Sequence, residues 1–176
     1  CSISGILNRE YVCMVIGAAH FTKRLPVHKL TELLSGIMHP VVLLGGKEDQ
    51  ETGEILAGLP GREVINACGK FNLNQSASIL QQCKMVITHD TGLMHIAAAF
   101  RKPMVSVWGN TIPAFGMYAY YGNSPASDDR SEVQGLNCRP CSKIGYQHCP
   151  RKHFKCMEYQ DIQSIISQVS EKMKGA

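Results

Sequence analysis

The segment His89 to His95 (HDTGLMH) follows directly after the apolar run Met85 to Thr88. This order predicts the end of a β-strand and the start of a helix, where free N–H groups and the positive end of the helix dipole favour a phosphate. Thr91 and His95 are four residues apart, so they share one helix face, where both can reach a diphosphate. Gly92 lets the backbone approach a ligand closely. The segment is therefore predicted to bind phosphate groups.

Asp90, within this segment, has two interpretations. A carboxylate does not bind phosphate directly, so Asp90 either orients a cation or a sugar hydroxyl or simply caps the helix. For His95, the alternative to a phosphate contact is a buried histidine without a ligand. Asp-Thr-Gly also marks aspartic proteases, which need an all-β context and a second aspartate that shares a proton. The helix predicted from Leu93 to Phe100 argues against that class.

Two further polar clusters follow predicted strands. Gly17 to Pro26 (GAAHFTKRLP) contains Lys23 and Arg24, either of which could neutralise a departing diphosphate, unless the turn is only a solvated basic turn. Gly45 to Asp49 (GGKED) offers Glu48 as an acceptor for ribose hydroxyls, or as an ordinary exposed acid. Neither the Gly-x-Gly-x-x-Gly nor the Gly-Lys-Ser/Thr pattern occurs, which argues against nicotinamide cofactors and P-loop chemistry.

The elements that must position these clusters alternate between short apolar runs and segments with apolar residues at helical spacing. Strands are predicted at Tyr11 to Gly17, Val41 to Leu44, Glu63 to Ile65, Met85 to Thr88 and Met104 to Val107. Helices are predicted after Pro26 through Leu30, Leu33, Leu34, Ile37 and Met38, around Glu51 to Leu59, and at Leu73 to Gln82 and Leu93 to Phe100. This alternation predicts an α/β fold with a Rossmann-like parallel sheet covered by helices on both faces.

The last third of the sequence is less regular. Asn123 to Gly135 is polar and is expected to form a mobile surface loop, Cys138 to Cys156 an irregular basic segment, and Asp161 to Met173 a closing helix. The eight cysteines include four in that basic segment: Cys138, Cys141, Cys149 and Cys156. Four thiolates could hold a structural Zn²⁺, but only the first pair has ligand spacing, so reduced cysteines are the favoured interpretation and the metal stays unknown.

Composition sets the class of protein. A chain of 176 residues with 44% hydrophobic content suits one globular domain, and no apolar run could span a bilayer, so a cytoplasmic location is expected. The net charge of +4 suits an anionic partner but falls short of a nucleic-acid binder. The chain begins with Cys1, so it is expected to continue a longer polypeptide. We expect residues 1–10 to lead in from a preceding domain, residues 11–157 to form the ligand-binding domain, and residues 158–176 to form the C-terminal helix.

Several strings of the sequence resemble glycosyltransferase family 9, the ADP-heptose:lipopolysaccharide heptosyltransferases, in their C-terminal half. They are GAAHFTKRLP, VVLLGGKED, KFNLNQSASIL and VITHDTGLMHIAAAFRKPMVSVWGNTIP, followed by the CRPC segment. The resemblance implies a GT-B architecture, in which this half holds a nucleotide-sugar donor and a preceding half holds the acceptor. One departure is Leu25, where the family often has an aromatic residue.

The resemblance also implies roles for individual residues. Lys23, Asp90 and His95 would be the catalytic groups on the diphosphate side, and the donor contacts would be Thr22, Lys23, Glu48 (ribose), Phe71 (base), Asp90, Thr91, Gly92, Leu93 and His95. The catalytic aspartate base would belong to the preceding half. ADP-heptose or a similar nucleotide sugar would be the substrate, with no cofactor required. A lipid-linked saccharide acceptor would bring the enzyme to the cytoplasmic face of the inner membrane, with peripheral membrane contact.

A non-catalytic module is the remaining alternative: a Rossmann-like domain whose cysteine-rich, zinc-bound tail docks a partner. A fold alone does not exclude it. Polar residues after three separate strands at one sheet edge, namely Lys23, Glu48, Thr91 and His95, favour the donor-binding interpretation, because a scaffold would not require that convergence.

Overall fold

The computed structural model describes residues 3–6 and 8–175. It contains one six-stranded sheet, and its order β3-β2-β1-β4-β5-β6 places the first strand at the centre. The strands are β1 Val12–Val15, β2 Val41–Leu44, β3 Val64–Asn66, β4 Met85–His89, β5 Met104–Trp108 and β6 Asp128–Glu132. The helices are α1 Ile3–Ile6, α2 Val27–Gly36, α3 Gln50–Ala57, α4 Leu73–Gln82, α5 Gly92–Ala99, α6 Lys155–Glu158 and α7 Ile162–Gly175.

Every strand pair in the sheet is parallel. Val12 lies opposite Val41 of β2 on one side and opposite Met85 of β4 on the other. The residues of β1, β2, β4 and β5 are all buried, which explains why these strands are continuous apolar runs rather than alternating ones. The predicted α/β fold with a parallel sheet is confirmed.

Helices cover both faces of the sheet, and each face has its own apolar core. One core joins the sheet to α2, α3 and α7, while the other joins it to α4 and α5 and includes Ile6 of α1. In α5, Ala97 and Ala98 are buried, and their small side chains let the helix lie close to the sheet. This packing fixes the start of α5 at the carboxyl end of β4.

The predicted loop from Asn123 to Gly135 is wrong in its centre, because Asp128–Glu132 forms the edge strand β6 and pairs with β5. The sequence pattern does not predict β6, because this strand contains no apolar residue. The buried Asp128 carboxylate accepts from Arg130, and Ser131 donates to Gln160. Side-chain pairing therefore replaces the apolar contacts that usually mark a strand.

Helix ends differ slightly from the predictions. α2 ends at Gly36, and Met38, predicted on its apolar face, is 77% exposed. A Cβ at Gly36 would lie 2.2 Å from the Ile166 side chain, so α7 packs directly against this last turn. In the described part of the chain, none of the helices is long and apolar enough to cross a membrane.

Candidate functional site

Lys23 and Asp90 meet at the carboxyl edge of the sheet. Lys23 ends a short 3₁₀ helix, Phe21–Lys23, after β1, and Asp90 follows β4. The Lys23 Nζ atom lies 2.6 Å from Asp90 Oδ2, and their side chains are only 11% and 7% exposed. At low exposure an ion pair is weakly screened, and removing one partner would leave the other charge buried and uncompensated.

Asp90 also joins the loop after β5 to this pair. Thr111 is fully buried, and its hydroxyl donates to Asp90 Oδ2 at 3.0 Å. The helix-capping interpretation of Asp90 is not what the structure shows, because Thr91 occupies the cap position of α5 and Asp90 accepts from two side chains. The carboxylate orients a cation instead, and the cation is Lys23.

A second ion pair ties the loop after β1 to the loop after β2. Arg24 Nη1 lies 2.8 Å from Asp49 Oδ1, and the Arg24 guanidinium also donates to the Ala18 carbonyl oxygen. Asp49 Oδ2 accepts from the Gly46 N–H at 2.8 Å. A Cβ at Gly17 would lie 2.1 Å from Asp49 Oδ2, so a glycine is needed for this approach. The pair therefore fixes both loops.

Asp49 was not among the site residues predicted from the sequence. A usable signal was present: an aspartate three residues after a glycine, at the start of a helix, with an arginine in the neighbouring loop. Arg24 was named as a phosphate ligand, but the structure directs its guanidinium to Asp49 and to the backbone. Arg24 is therefore a positioning residue for the loops, whereas Lys23 is the buried cation of the site.

A cleft of about 330 Å³ opens between these loops and α5. Four of the predicted donor-binding residues line it: Glu48, Thr91, Gly92 and Leu93. Leu73, at the start of α4, lines it as well and is 65% exposed. A larger cavity of about 550 Å³ lies at the opposite, amino edge of the sheet, away from the loops that carry the polar clusters. The cleft at the carboxyl edge fits the usual ligand position in open α/β sheets.

The structure does not bring every predicted residue to the cleft wall. His95 is exposed on the first turn of α5 but does not line the cleft, and Phe71 packs against the apolar core beside α4 and α5. Thr22 is buried, and its hydroxyl bonds the backbone of Tyr146 instead of facing the cleft. Leu73, and not Phe71, is the large apolar side chain from the start of α4 that lines the cleft.

Thr91 and Asn110 have buried side-chain polar atoms that are candidates for contacts with a ligand. In the described part of the chain, Thr91 Oγ1 and both side-chain atoms of Asn110 are buried without a hydrogen bond. Asn110 is 1% exposed and precedes Thr111, the partner of Asp90. Buried polar groups without partners are costly, so they are common where a ligand or an ordered water completes the bonding. Asn110 was missed because nothing in the sequence marks it.

His89 has a structural role at the edge of the site. It is 2% exposed, and its Nε2 accepts the Leu25 N–H at 3.0 Å. Burial lowers the pKa of His89 to about 4, so the imidazole is neutral at physiological pH. The neutral ring holds the backbone that follows Lys23 and Arg24, which explains a polar residue at the end of an apolar strand.

The basic segment after β6 crosses the carboxyl edge of the sheet. Arg139 is the main anchor, with hydrogen bonds to the carbonyls of Gly109, Val133 and Thr111 and an ion pair at 2.8 Å to Glu132. The second anchor is the Thr22–Tyr146 pairing described above. The segment therefore links the loop after β1 to the ends of β5 and β6.

The four cysteines of this segment do not form a metal cage. In the described residues, no group of three or more His, Cys, Asp or Glu side chains is arranged to hold a metal ion. Burial, followed by the neighbouring Cys141 and Cys149, raises the pKa of Cys156 to about 11, and burial also raises the pKa of Cys141. Thiols with raised pKa values stay protonated at neutral pH. The described side chains therefore contain no preformed metal site.

Comparison with known proteins supports one family. The family model of glycosyltransferase family 9 (heptosyltransferase) matches residues 2–149. Lipooligosaccharide heptosyltransferase 2 of Haemophilus influenzae is 41% identical over 91 residues, which cover 49% of this chain and 26% of that protein.

Two solved structures show the same fold. The structure of E. coli ADP-heptose lps heptosyltransferase II aligns with a TM-score of 0.73 at 22% identity, covering 94% of this chain and 47% of that one. The E. coli heptosyltransferase WaaC with ADP aligns with a TM-score of 0.66 at 23% identity, covering 93% of this chain and 44% of that one. The chain thus spans about half the length of these structures, and with the match to the family model it belongs to glycosyltransferase family 9.

Proposed function

We propose that this chain is the donor-binding, C-terminal half of a GT-B glycosyltransferase that transfers heptose or a related sugar from an ADP-sugar to a lipopolysaccharide-core-type acceptor. The observation that carries the proposal is the convergence at one sheet edge of the Lys23–Asp90 pair, the start of α5 and a cleft lined by Glu48 and Thr91. These groups supply what a nucleoside diphosphate needs: positive charge, free N–H groups and a hydrogen-bond acceptor for ribose.

The reaction is a displacement at the anomeric carbon of the sugar. A bond forms from an acceptor oxygen to that carbon while the bond to the diphosphate oxygen breaks, and the electron pair leaves with ADP. Negative charge therefore grows on the diphosphate. Lys23 and the N–H groups of Thr91 to Leu93 at the start of α5 would stabilise it, because preorganised donors act most strongly where charge develops. With that charge supplied, no metal cofactor is required.

Asp90 serves this mechanism indirectly. It accepts from Lys23 and from Thr111, so it holds the ammonium group of Lys23 between the loops after β1 and β5. The proton of the attacking acceptor hydroxyl would pass to an aspartate of the preceding half, as the family resemblance implies. On this basis the present chain binds the nucleotide but transfers nothing alone.

The comparisons bear on the donor and the acceptor. The WaaC structure contains ADP, and the Haemophilus relative is a lipooligosaccharide heptosyltransferase. Both fit an ADP-sugar donor and a saccharide acceptor linked to lipid. Such an acceptor would place the enzyme at the cytoplasmic face of the inner membrane.

Calorimetric titration of the chain with ADP, UDP and GDP tests the proposal. We expect saturable ADP binding, weakened about 10-fold to 100-fold by Lys23→Ala, because a hydrogen bond to a charged group contributes about 1.5 to 3 kcal/mol. The matched control is Lys174→Ala, an exposed lysine in the last turn of α7, which should leave ADP affinity unchanged. A chelator in the buffer should not alter the ADP affinity.

His95→Ala tests a catalytic assignment outside the lining of the cleft, which also lacks Lys23 and Asp90. If His95 bonds the diphosphate, ADP affinity falls, whereas the exposed His39→Ala control leaves it unchanged. A preference for UDP or GDP would contradict the ADP-sugar donor but not the fold. Absence of binding to all three nucleotides would contradict a self-sufficient donor site and favour the non-catalytic module.

A further inference from the structure

The excess positive charge of the chain is concentrated in residues 133–157. This stretch contains five of the eighteen Lys and Arg residues and none of the fourteen Asp and Glu residues, so the rest of the chain has a net charge of −1. Arg139 is committed to Glu132 and to backbone carbonyls. The other four cations of the stretch are Lys143, Arg151, Lys152 and Lys155. Because the stretch contains no acidic residue, these four side chains form a positively charged surface that favours an anionic partner.

Part of this stretch forms a cavity of about 440 Å³. Its lining contains Arg151, His153 and Lys155, together with Asn137 and Cys138 and without any acidic side chain. Four other cavities of the described chain each include at least one acid: Glu10, Glu132, Glu48 with Asp49, and Glu63. The cavity after β6 therefore differs from these four in having positive charge and no carboxylate in its lining.

The lining is held in place by local contacts. His153 Nδ1 accepts the Lys155 N–H at 3.1 Å, which leaves Nε2 as the N–H side of a neutral ring. That Nε2 lies 3.8 Å from Cys138 Sγ, a distance that keeps the ring against the cavity wall. Leu136 packs on the apolar core and anchors the wall on the side of β6.

The two cations of the cavity are not neutralised by carboxylates. In the described residues Arg151 has no ion pair, and the Lys155 ammonium lies 5.7 Å from the Tyr159 ring centroid, with no salt bridge of its own. A guanidinium fork and a compact ammonium charge together match the oxygens of a phosphate group.

We propose that this cavity binds a phosphomonoester group, at a site separate from the nucleotide cleft. Both sites lie at the carboxyl edge of the sheet, the cleft beside β1, β2 and β4 and the cavity beyond β6. A phosphate carried by an anionic, lipid-linked acceptor would fit this placement. That assignment to the acceptor rests on the proposed function, whereas binding of phosphate to the cavity does not.

Titration of the whole chain with inorganic phosphate at constant ionic strength tests the site. The readout is the imidazole NMR signal of His153, assigned by its loss in His153→Gln. We expect a saturable shift, weakened more than about tenfold in the double variant Arg151→Gln/Lys155→Gln, because two charge-assisted contacts are lost. The matched control, Lys143→Gln/Lys152→Gln, removes the same charge from the same stretch but leaves the cavity lining intact, so the shift should persist.

A second arm identifies the source of the phosphate. Sedimentation with phosphatidylcholine vesicles that contain phosphatidic acid, lost in the Arg151→Gln/Lys155→Gln variant, would assign a lipid headgroup. Phosphate binding without sedimentation would exclude the phosphatidic acid headgroup and favour a phosphorylated saccharide, and both outcomes support the site. Equal weakening in the two double variants would overturn the proposal, because a diffuse charged surface would then explain binding, as would the absence of a saturable shift in the unmodified chain.

ADP titration of the same variants separates this proposal from the proposed function. Arg151→Gln/Lys155→Gln should bind ADP like the unmodified chain, since neither residue lines the cleft or contacts the Lys23–Asp90 pair. Failure of ADP binding in the unmodified chain would count against the donor site alone.

Discussion

The buried Lys23–Asp90 pair should dominate the response of the site to substitution. Removing one partner of a buried pair leaves an uncompensated charge and costs about 3 to 5 kcal/mol, and the residual exposure of 11% and 7% favours the lower end. We therefore expect Asp90→Asn and Lys23→Met each to lower the free energy of unfolding by about 3 kcal/mol. For a chain of this size, such a loss lowers the Tm by roughly 6 to 12 °C.

The double variant separates the pair from its surroundings. Lys23→Met with Asp90→Asn removes both charges, so its cost should be well below the sum of the single costs, with a coupling energy of about 2 kcal/mol. Urea denaturation followed by circular dichroism gives the three free energies. The matched control is the exposed Lys29–Glu32 pair in α2, at 3.2 Å, where the same cycle should give less than about 1 kcal/mol.

Single variants that change stability by less than about 0.5 kcal/mol and add without coupling would contradict a buried Lys23–Asp90 pair, because that is the behaviour of a solvent-screened surface pair. In that case the two side chains would be solvated in solution. Asp90 could not then position Lys23 for a diphosphate, and the proposed role of the carboxylate would have to be abandoned.

Three further outcomes are expected. Gly17→Ala should cost about 1 to 3 kcal/mol of stability because its Cβ would lie 2.1 Å from Asp49 Oδ2, whereas Gly58→Ala, with 3.4 Å to its nearest neighbour, should be tolerated; thermal denaturation compares them. The folded pKa of His89, about 4, lies below its unfolded value, so the unfolded state binds more protons between pH 6.5 and 4. The free energy of unfolding should therefore fall by up to about 3 kcal/mol on acidification through that window. In a pH series of urea denaturations, the free energy of unfolding of His89→Gln should depend less steeply on pH than that of the unmodified chain. Arg139→Lys keeps the charge but loses the planar fork that bonds three carbonyls, so amide hydrogen exchange should accelerate in residues 133–146 while α2 and α7 stay protected.

The sequence predicted those parts of the fold that depend on apolar burial. Strands β1, β2, β4 and β5 are continuous buried runs, and α2 and α7 show apolar residues at helical spacing, so their positions follow from local pattern. β6 could not be predicted in the same way. Its residues are stabilised by pairing with β5 and by polar contacts such as Lys172 to Asp129, which depend on the finished fold.

For the candidate site, the sequence predicted where the site lies but not which side chains contact one another. Parallel strands bring their carboxyl ends to one edge, so the convergence of Lys23, Glu48 and Thr91 at that edge followed from the strand pattern. The strand pattern did not predict which basic side chain pairs with which acidic one. Lys23 and Arg24 are adjacent, yet Lys23 turns toward Asp90 and Arg24 toward Asp49, and only the tertiary geometry separates them.

The strand order has a consequence for how this chain folds. β1 pairs with β4 through Val12 and Met85, residues far apart in sequence, so closing that loop costs chain entropy before the pairing offsets it. The Lys23–Asp90 contact spans the same β1–β4 junction and cannot form earlier. The ligand site is therefore complete only once β1 and β4 have paired, and a chain that has formed β1 to β3 alone has a sheet but no place for a diphosphate.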